Sequence, residues 1–198
     1  MVMKSKKMAL ISIFGALSAV LMYFKFPIPF MPPFMDFDFC GVPEMIGGFA
    51  LGPIAAVLII AIKLVLKLAL MGTTTMFVGE LSNFILSCVY VLPAIYVYHR
   101  NKTKRGAVHG LILGTLLVSV TAIFTNLCII IPFYGTMLGL QFSSILDMCA
   151  AVNPLINSSI TLAIFGIVPF NLIKNGVVSI ITIILYKKIS HLIKGYIK

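Results

Sequence analysis

Lys174 and Asn171 stand three residues apart in a stretch that is otherwise apolar, so a helix there would carry both on one face. Asn126 lies toward the far end of another apolar run. Ionisable groups inside apolar helices are expensive, and each therefore carries a functional hypothesis. An ammonium and two amides converging at one level could read a ligand rich in carbonyls, ring nitrogens and hydroxyls. The same amides could equally tie helices together by interhelical hydrogen bonds. Glu80 and Asn83 share a face by the same spacing, and Glu80 could contact a ligand, cap its helix or pair with a lysine. Lys63 and Lys67, one turn apart, have Glu44 and Glu80 as natural partners, a structural role.

A second kind of chemistry sits in the loop at 25–39, where four prolines forbid a regular helix and Phe30, Phe34, Phe37 and Phe39 recur. Such rings suit the walls of a flat aromatic ligand, or the packing of a lid on a helix bundle. The three histidines are scattered, and the four cysteines form no C-x-x-C pair and read as small buried hydrophobes. No metal site is expected. Neither a P-loop, a G-x-S-x-G elbow nor an H-E-x-x-H pair occurs, so the reading is a non-enzyme; any ATP hydrolysis belongs to another chain.

The elements that must hold these residues follow from composition. Of 198 residues 61% are hydrophobic and 10% charged, against roughly a quarter charged in a soluble domain. So much apolar surface has to face lipid. The net charge of +10 would suggest nucleic acid in a soluble protein, but here the basic residues flank hydrophobic runs, which excludes that partner. The apolar runs predict six transmembrane helices near 8–24, 42–51, 53–70, 79–98, 107–131 and 169–186, in one membrane domain spanning 1–198. Gly52-Pro53 divides the second from the third, and Pro132 is read as closing the fifth. The segment 133–168 is read as a long ordered loop with some helix.

Charge tests the count. Eleven of the fifteen Lys and Arg fall before residue 8, in 99–105 or after 186, and six crossings put all three segments on one side. By the positive-inside rule that side is cytoplasmic, giving a multi-pass protein of the cell membrane with both termini inside. The loops at 25–39, 71–78 and 132–168 then lie outside, with all five acidic residues in or near them. The first run carries small residues at one-turn spacing, Ala9, Ser12 with Ala16, and Gly15 with Ala19, a face able to pack within the bundle or dock a partner.

Read in order, several motifs resemble one family over nearly the whole chain: Phe26-Pro27-Ile28-Pro29-Phe30 through Pro32-Pro33 to Asp38-Phe39 and Val42-Pro43; Gly47-Gly48-Phe49 with Leu51-Gly52-Pro53; Gly72-Thr73-Thr74; Val78-Gly79-Glu80-Leu81-Ser82-Asn83-Phe84; and Pro169-Phe170-Asn171-Leu172-Ile173-Lys174-Asn175. The chain resembles the substrate-binding (S) components of energy-coupling factor (ECF) vitamin importers, within them the riboflavin-specific RibU type. The resemblance implies the six-helix S-component fold with an outward-facing pocket. It implies that Asn126, Asn171 and Lys174 contact riboflavin, bound as transported ligand and not as cofactor. The loop at Phe37 and Asp38, and the 73–80 stretch with Thr74 and Glu80, would close the pocket. It further implies delivery inward with a transmembrane T subunit, docked on the face of Ser12, Gly15, Ala16 and Ala19, and two ATPase subunits. A sister S component for another vitamin is the alternative. Two positions depart from the family: Cys40-Gly41 stands where Ser-Asp is usual, and Asn175 where Gly is common.

Overall fold

The computed structural model describes residues 2–73, 75–139 and 141–197, the side chains of 2–4, 138, 187–188 and 190–197 excepted. It is an all-α membrane fold. Its elements are α1 (Val2–Tyr23), a two-stranded ribbon of β1 (Phe26–Pro27) and β2 (Asp36–Phe37), α2 (Gly41–Leu51), α3 (Pro53–Met71), α4 (Val78–Arg100), α5 (Lys104–Thr125), α6 (Ile131–Leu138), α7 (Phe142–Val152), α8 (Ser159–Leu162) and α9 (Val168–Ile197). Five stretches are long and apolar enough to cross a membrane: Ser5–Tyr23, Pro53–Met71, Val78–Arg100, Lys104–Met137 and Ser159–Tyr186.

The sixth helix, α2, has eleven residues and reaches only about 16 Å. Nine of them, from Val42 to Leu51, are buried, so protein shields the short helix from lipid. At its end the chain turns at Gly52, whose φ of 100° is a left-handed backbone that suits glycine, and Pro53 then opens α3. The start of α2 lines the central cavity, whereas Phe49 near its end packs on Tyr98 and Tyr186. Those tyrosines adjoin the basic 99–105 loop and the basic tail. Thus α2 carries the chain from one end of the bundle to the other.

Two expectations about prolines are corrected. Pro132 does not close the fifth helix, and the last does not begin at Pro169. A π-helical turn at Asn126–Ile130 joins α5 to α6, and a second at Ala163–Ile167 joins α8 to α9. Each proline follows its π turn by two residues. Proline has no N–H to donate, and its ring needs room against the carbonyl four residues back. Here those carbonyls belong to Cys128 and Phe165, inside the widened turns, so the helices bulge and continue instead of stopping. The 132–168 segment is accordingly mostly helical, with α7 as a separate short helix.

The 25–39 loop is ordered as a ribbon, Phe26 opposite Phe37 and Pro27 opposite Asp36. On the other side of the core, α5 and α4 approach closely at Gly110 and Gly114. A Cβ on Gly114 would lie 2.3 Å from the Tyr90 carbonyl oxygen, which backbone cannot yield. Gly114→Val is expected to cost about 1–3 kcal/mol, seen as a lower unfolding temperature in detergent, with ligand contacts left in place.

Candidate binding site

Helix ends remote from the 99–105 loop converge on one cavity of about 330 Å³, within the range of small-molecule sites. The end of α1 and the ribbon supply Met22, Phe34 and Met35. The α2 start gives Cys40, Gly41 and Glu44, and α4 gives Glu80, Asn83, Leu86, Ser87 and Tyr90. Opposite stand Asn126, Ile130 and Tyr134 from the α5–α6 bulge, and Phe170, Asn171, Lys174 and Asn175 from α9. The structure therefore brings Asn126, Asn171, Lys174, Asp38 and Glu80 together in one wall system, from segments up to 136 residues apart.

Each carboxylate in the wall has its own lysine. Lys174 donates to Asp38 Oδ2 at 2.7 Å and to the Asp36 carbonyl at 3.2 Å. Lys63 pairs with Glu44, and Lys67 with Glu80. Lys25 pairs with Asp36 at the exposed rim. The sequence offers Glu44 and Glu80 as partners without assigning them, and the structure gives one to each lysine. Four acids against four lysines leave the cavity polar without net charge, which suits a neutral ligand carrying donors and acceptors.

Asp38 is 4% exposed. Burial by itself raises its pKa, but the Lys174 charge and the Cys40 backbone N–H outweigh it and leave the carboxyl below its usual 3.8. A depressed folded-state pKa gives stability that is present above the unfolded value and fades as pH falls through the folded one. The Asp38–Lys174 pair is therefore expected to hold from neutral pH down to about pH 5, with no loss of ligand affinity over that range. Loss begins only in stronger acid, and a titration repeated across pH checks this. Burial instead raises the pKa of Cys40, followed by the Asp38 charge, so this thiol stays protonated.

Asn126 and Asn171 do not bond across helices. Asn126 donates Nδ2 to the Ala122 carbonyl at 2.8 Å, and Asn171 to that of Ile167 at 2.9 Å. Asn175 repeats the pattern, donating to the Asn171 carbonyl at 2.9 Å. Each side chain is pinned to its own helix, and none of the three amide oxygens has a partner among the described residues. All three residues are at least nine-tenths buried. All three line the cavity, so their oxygens are acceptors available to a ligand donor. Asn175, marked in the sequence only as a departure from the family and not as a ligand contact, is one further turn along the face of Asn171 and lines the cavity.

One candidate falls elsewhere. Phe37 does not line the cavity; it is buried in β2 between Phe26 and Phe39, with ring centroids 5.0 and 5.1 Å away. Of the loop phenylalanines, Phe34 faces the cavity, edge-on to Tyr134. Glu80 is fully occupied, taking Lys67 on one oxygen and the hydroxyls of Thr73 and Thr75 on the other, so it braces the 72–80 turn. Thr74 lies outside the described residues.

The proposed docking set on α1 divides by exposure. Ser12 and Ala16 face outward, together with Ala9. Gly15 and Ala19 are buried, and a Cβ on Gly15 would lie 2.5 Å from the Ile62 side chain of α3. At about 100° per residue all four lie on one stripe, with Gly15 and Ala19 on its edge against the bundle and Ser12 and Ala16 on its open edge, so Gly15 and Ala19 serve the bundle and are not open to a partner.

Comparison with known proteins agrees with this architecture. A family model described as ECF transporter, substrate-specific component, matches residues 6–186. The riboflavin transporter RibU of Staphylococcus aureus strain TCH60 is 30% identical over 192 residues, covering 96% of this chain and 94% of its own. The riboflavin transporter FmnP of Bacillus subtilis strain 168 is 29% identical over 190 residues, covering 94% and 93%. The solved S component of a bacterial ECF transporter superposes with a TM-score of 0.75 at 28% identity, over 96% of this chain and 99% of that one. With the family model spanning nearly its full length, the chain belongs to the substrate-specific components of ECF transporters, which are transport subunits and not enzymes.

Proposed function

We propose that this chain, as one six-helix membrane domain, captures riboflavin in the cavity from outside the cell and passes it inward as part of an ATP-driven importer. The observation that carries the reading is the trio of amides on Asn126, Asn171 and Asn175, residues largely buried but with unpartnered oxygens in the cavity wall, beside the Lys174–Asp38 pair. Riboflavin offers hydroxyl and ring N–H donors to such acceptors, and Phe34, Tyr134, Met22 and Met35 offer apolar surface to its ring. The likeness to two riboflavin transporters along nearly the whole chain supports the same ligand.

Orientation follows from charge. The cavity lies at the end of the bundle opposite the 99–105 loop, and the positive-inside rule puts that loop and both termini in the cytoplasm, so the cavity opens outward. The chain has no nucleotide-binding loop of its own, and membership of the ECF family supports a transmembrane T subunit and two ATPases as the source of the drive. The exposed half of the α1 small-residue face, Ser12 and Ala16, is the docking surface for the T subunit.

Uptake of labelled riboflavin tests this reading. Cells lacking other riboflavin uptake and expressing the chain with a T subunit and two ATPases are expected to accumulate label. Cells carrying the three partners without it are expected not to. Equal uptake in both would overturn the assignment.

A further inference from the structure

Lys63 is fully buried, and so is its partner Glu44 at 1% exposed. A buried ion pair in a membrane protein is no more stable than a well-packed apolar pair, so its presence calls for a reason beyond stability. The hydrogen bonds around the ammonium supply one. Besides Glu44, Lys63 donates to Asn83 Oδ1 at 2.8 Å and to Ser87 Oγ at 3.1 Å. This fixes the Asn83 amide with its oxygen toward Lys63, and its Nδ2 has no acceptor among the described residues. Glu44 takes both Lys63 and the Ser18 hydroxyl on the same oxygen, Oε1. Its other oxygen, Oε2, has no donor among the described residues. Both Asn83 and Glu44 line the cavity. One ammonium therefore holds a free donor and a free acceptor next to each other at the cavity wall, on a part of the wall that contributes none of Asn126, Asn171 or Lys174.

We propose that Lys63 positions Glu44 and Asn83 as a paired acceptor and donor that reads the imide edge of the flavin ring. The proposal rests on the riboflavin reading above. An imide presents an N–H flanked by carbonyls, so Glu44 Oε2 accepts from the N–H while Asn83 Nδ2 donates to a neighbouring carbonyl. Lys63 itself does not line the cavity and acts through the other two as a positioning residue. A site built to bond an N–H rejects the analogue lacking it, because its own buried groups are left unpaired.

The test is equilibrium titration of the purified chain with riboflavin and with 3-methylriboflavin, which keeps both ring carbonyls and loses the imide N–H. The wild-type chain is expected to bind the methyl analogue about 10- to 100-fold more weakly. Asn83→Asp keeps an acceptor for Lys63 and removes the donor, and is expected to weaken riboflavin by a similar factor. In the Lys63→Met/Glu44→Met double variant the two flavins are expected to bind with nearly equal, weakened affinity. A methyl penalty of the same size in wild type and double variant would overturn the proposal, because it marks a steric wall and not a read N–H. Equal affinity of the wild-type chain for both flavins would also overturn it, and needs no variant to fold. Each of these results leaves the riboflavin assignment intact, whereas a wild-type chain that ignores riboflavin removes both.

Discussion

Lys174→Met is expected to lower riboflavin affinity by about 100-fold or more, the scale for truncating one member of a buried, hydrogen-bonded charge pair. An ammonium has three N–H donors. Two are committed, to Asp38 Oδ2 and to the Asp36 carbonyl, and the third remains for the ligand. The substitution thus removes a ligand contact, leaves the Asp38 carboxylate buried without a counter-charge, and unties the ribbon from α9. Lys174→Arg keeps the charge and is expected to hold the ribbon in place while losing part of the affinity, since a planar fork does not reproduce the ammonium geometry. Fluorescence titration of both variants measures this. Affinity in Lys174→Met within a few-fold of wild type would show that the Lys174–Asp38 pair is only a strut.

The second large effect is on stability. Lys63→Met leaves Glu44 charged, 1% exposed and without its partner, and strips Asn83 and Ser87 of a donor. Breaking a buried pair from one side costs about 3–5 kcal/mol. The expected result is a sharp fall in unfolding temperature in detergent, or failure to recover folded protein. Adding Glu44→Met removes the orphaned charge and is expected to restore most of that stability. If the single and double variants unfold alike, the pair is not coupled as the geometry requires. Stability and binding part company in the double variant: its fold returns, but the ordered amide of Asn83 does not.

Much of this was legible in the residues, and the particulars say why. The six crossings follow from two independent signals, apolar runs and the clustering of Lys and Arg, and the Gly52-Pro53 break needed both. That Lys63 and Lys67 pair with Glu44 and Glu80 follows from the rule that buried charges find opposites, although which takes which is set only by the fold. Asn171 and Lys174 share a cavity because helical spacing is regular. Prolines misled, because a proline is read as a helix stop unless the turn before it can widen, and Pro132 and Pro169 each have such a turn. Phe37 misled because ring type shows that a residue packs but not on which side of a two-residue strand. Gly15 and Ala19 misled because a small-residue repeat does not tell an internal helix contact from an external one. The amide oxygens on Asn126 and Asn171 are visible only in three dimensions, since their freedom depends on each Nδ2 turning back to its own helix.

The central claim is that the cavity takes riboflavin, and the direct measurement is made on the chain alone. The protein purified in detergent is examined by visible absorption, stripped of any bound flavin, and titrated with riboflavin. Flavin bands are expected in the protein as isolated, or saturable one-to-one binding once stripped, with affinity lost in Asn126→Ala and Lys174→Met. A colourless protein that gives no saturable response to riboflavin would contradict it.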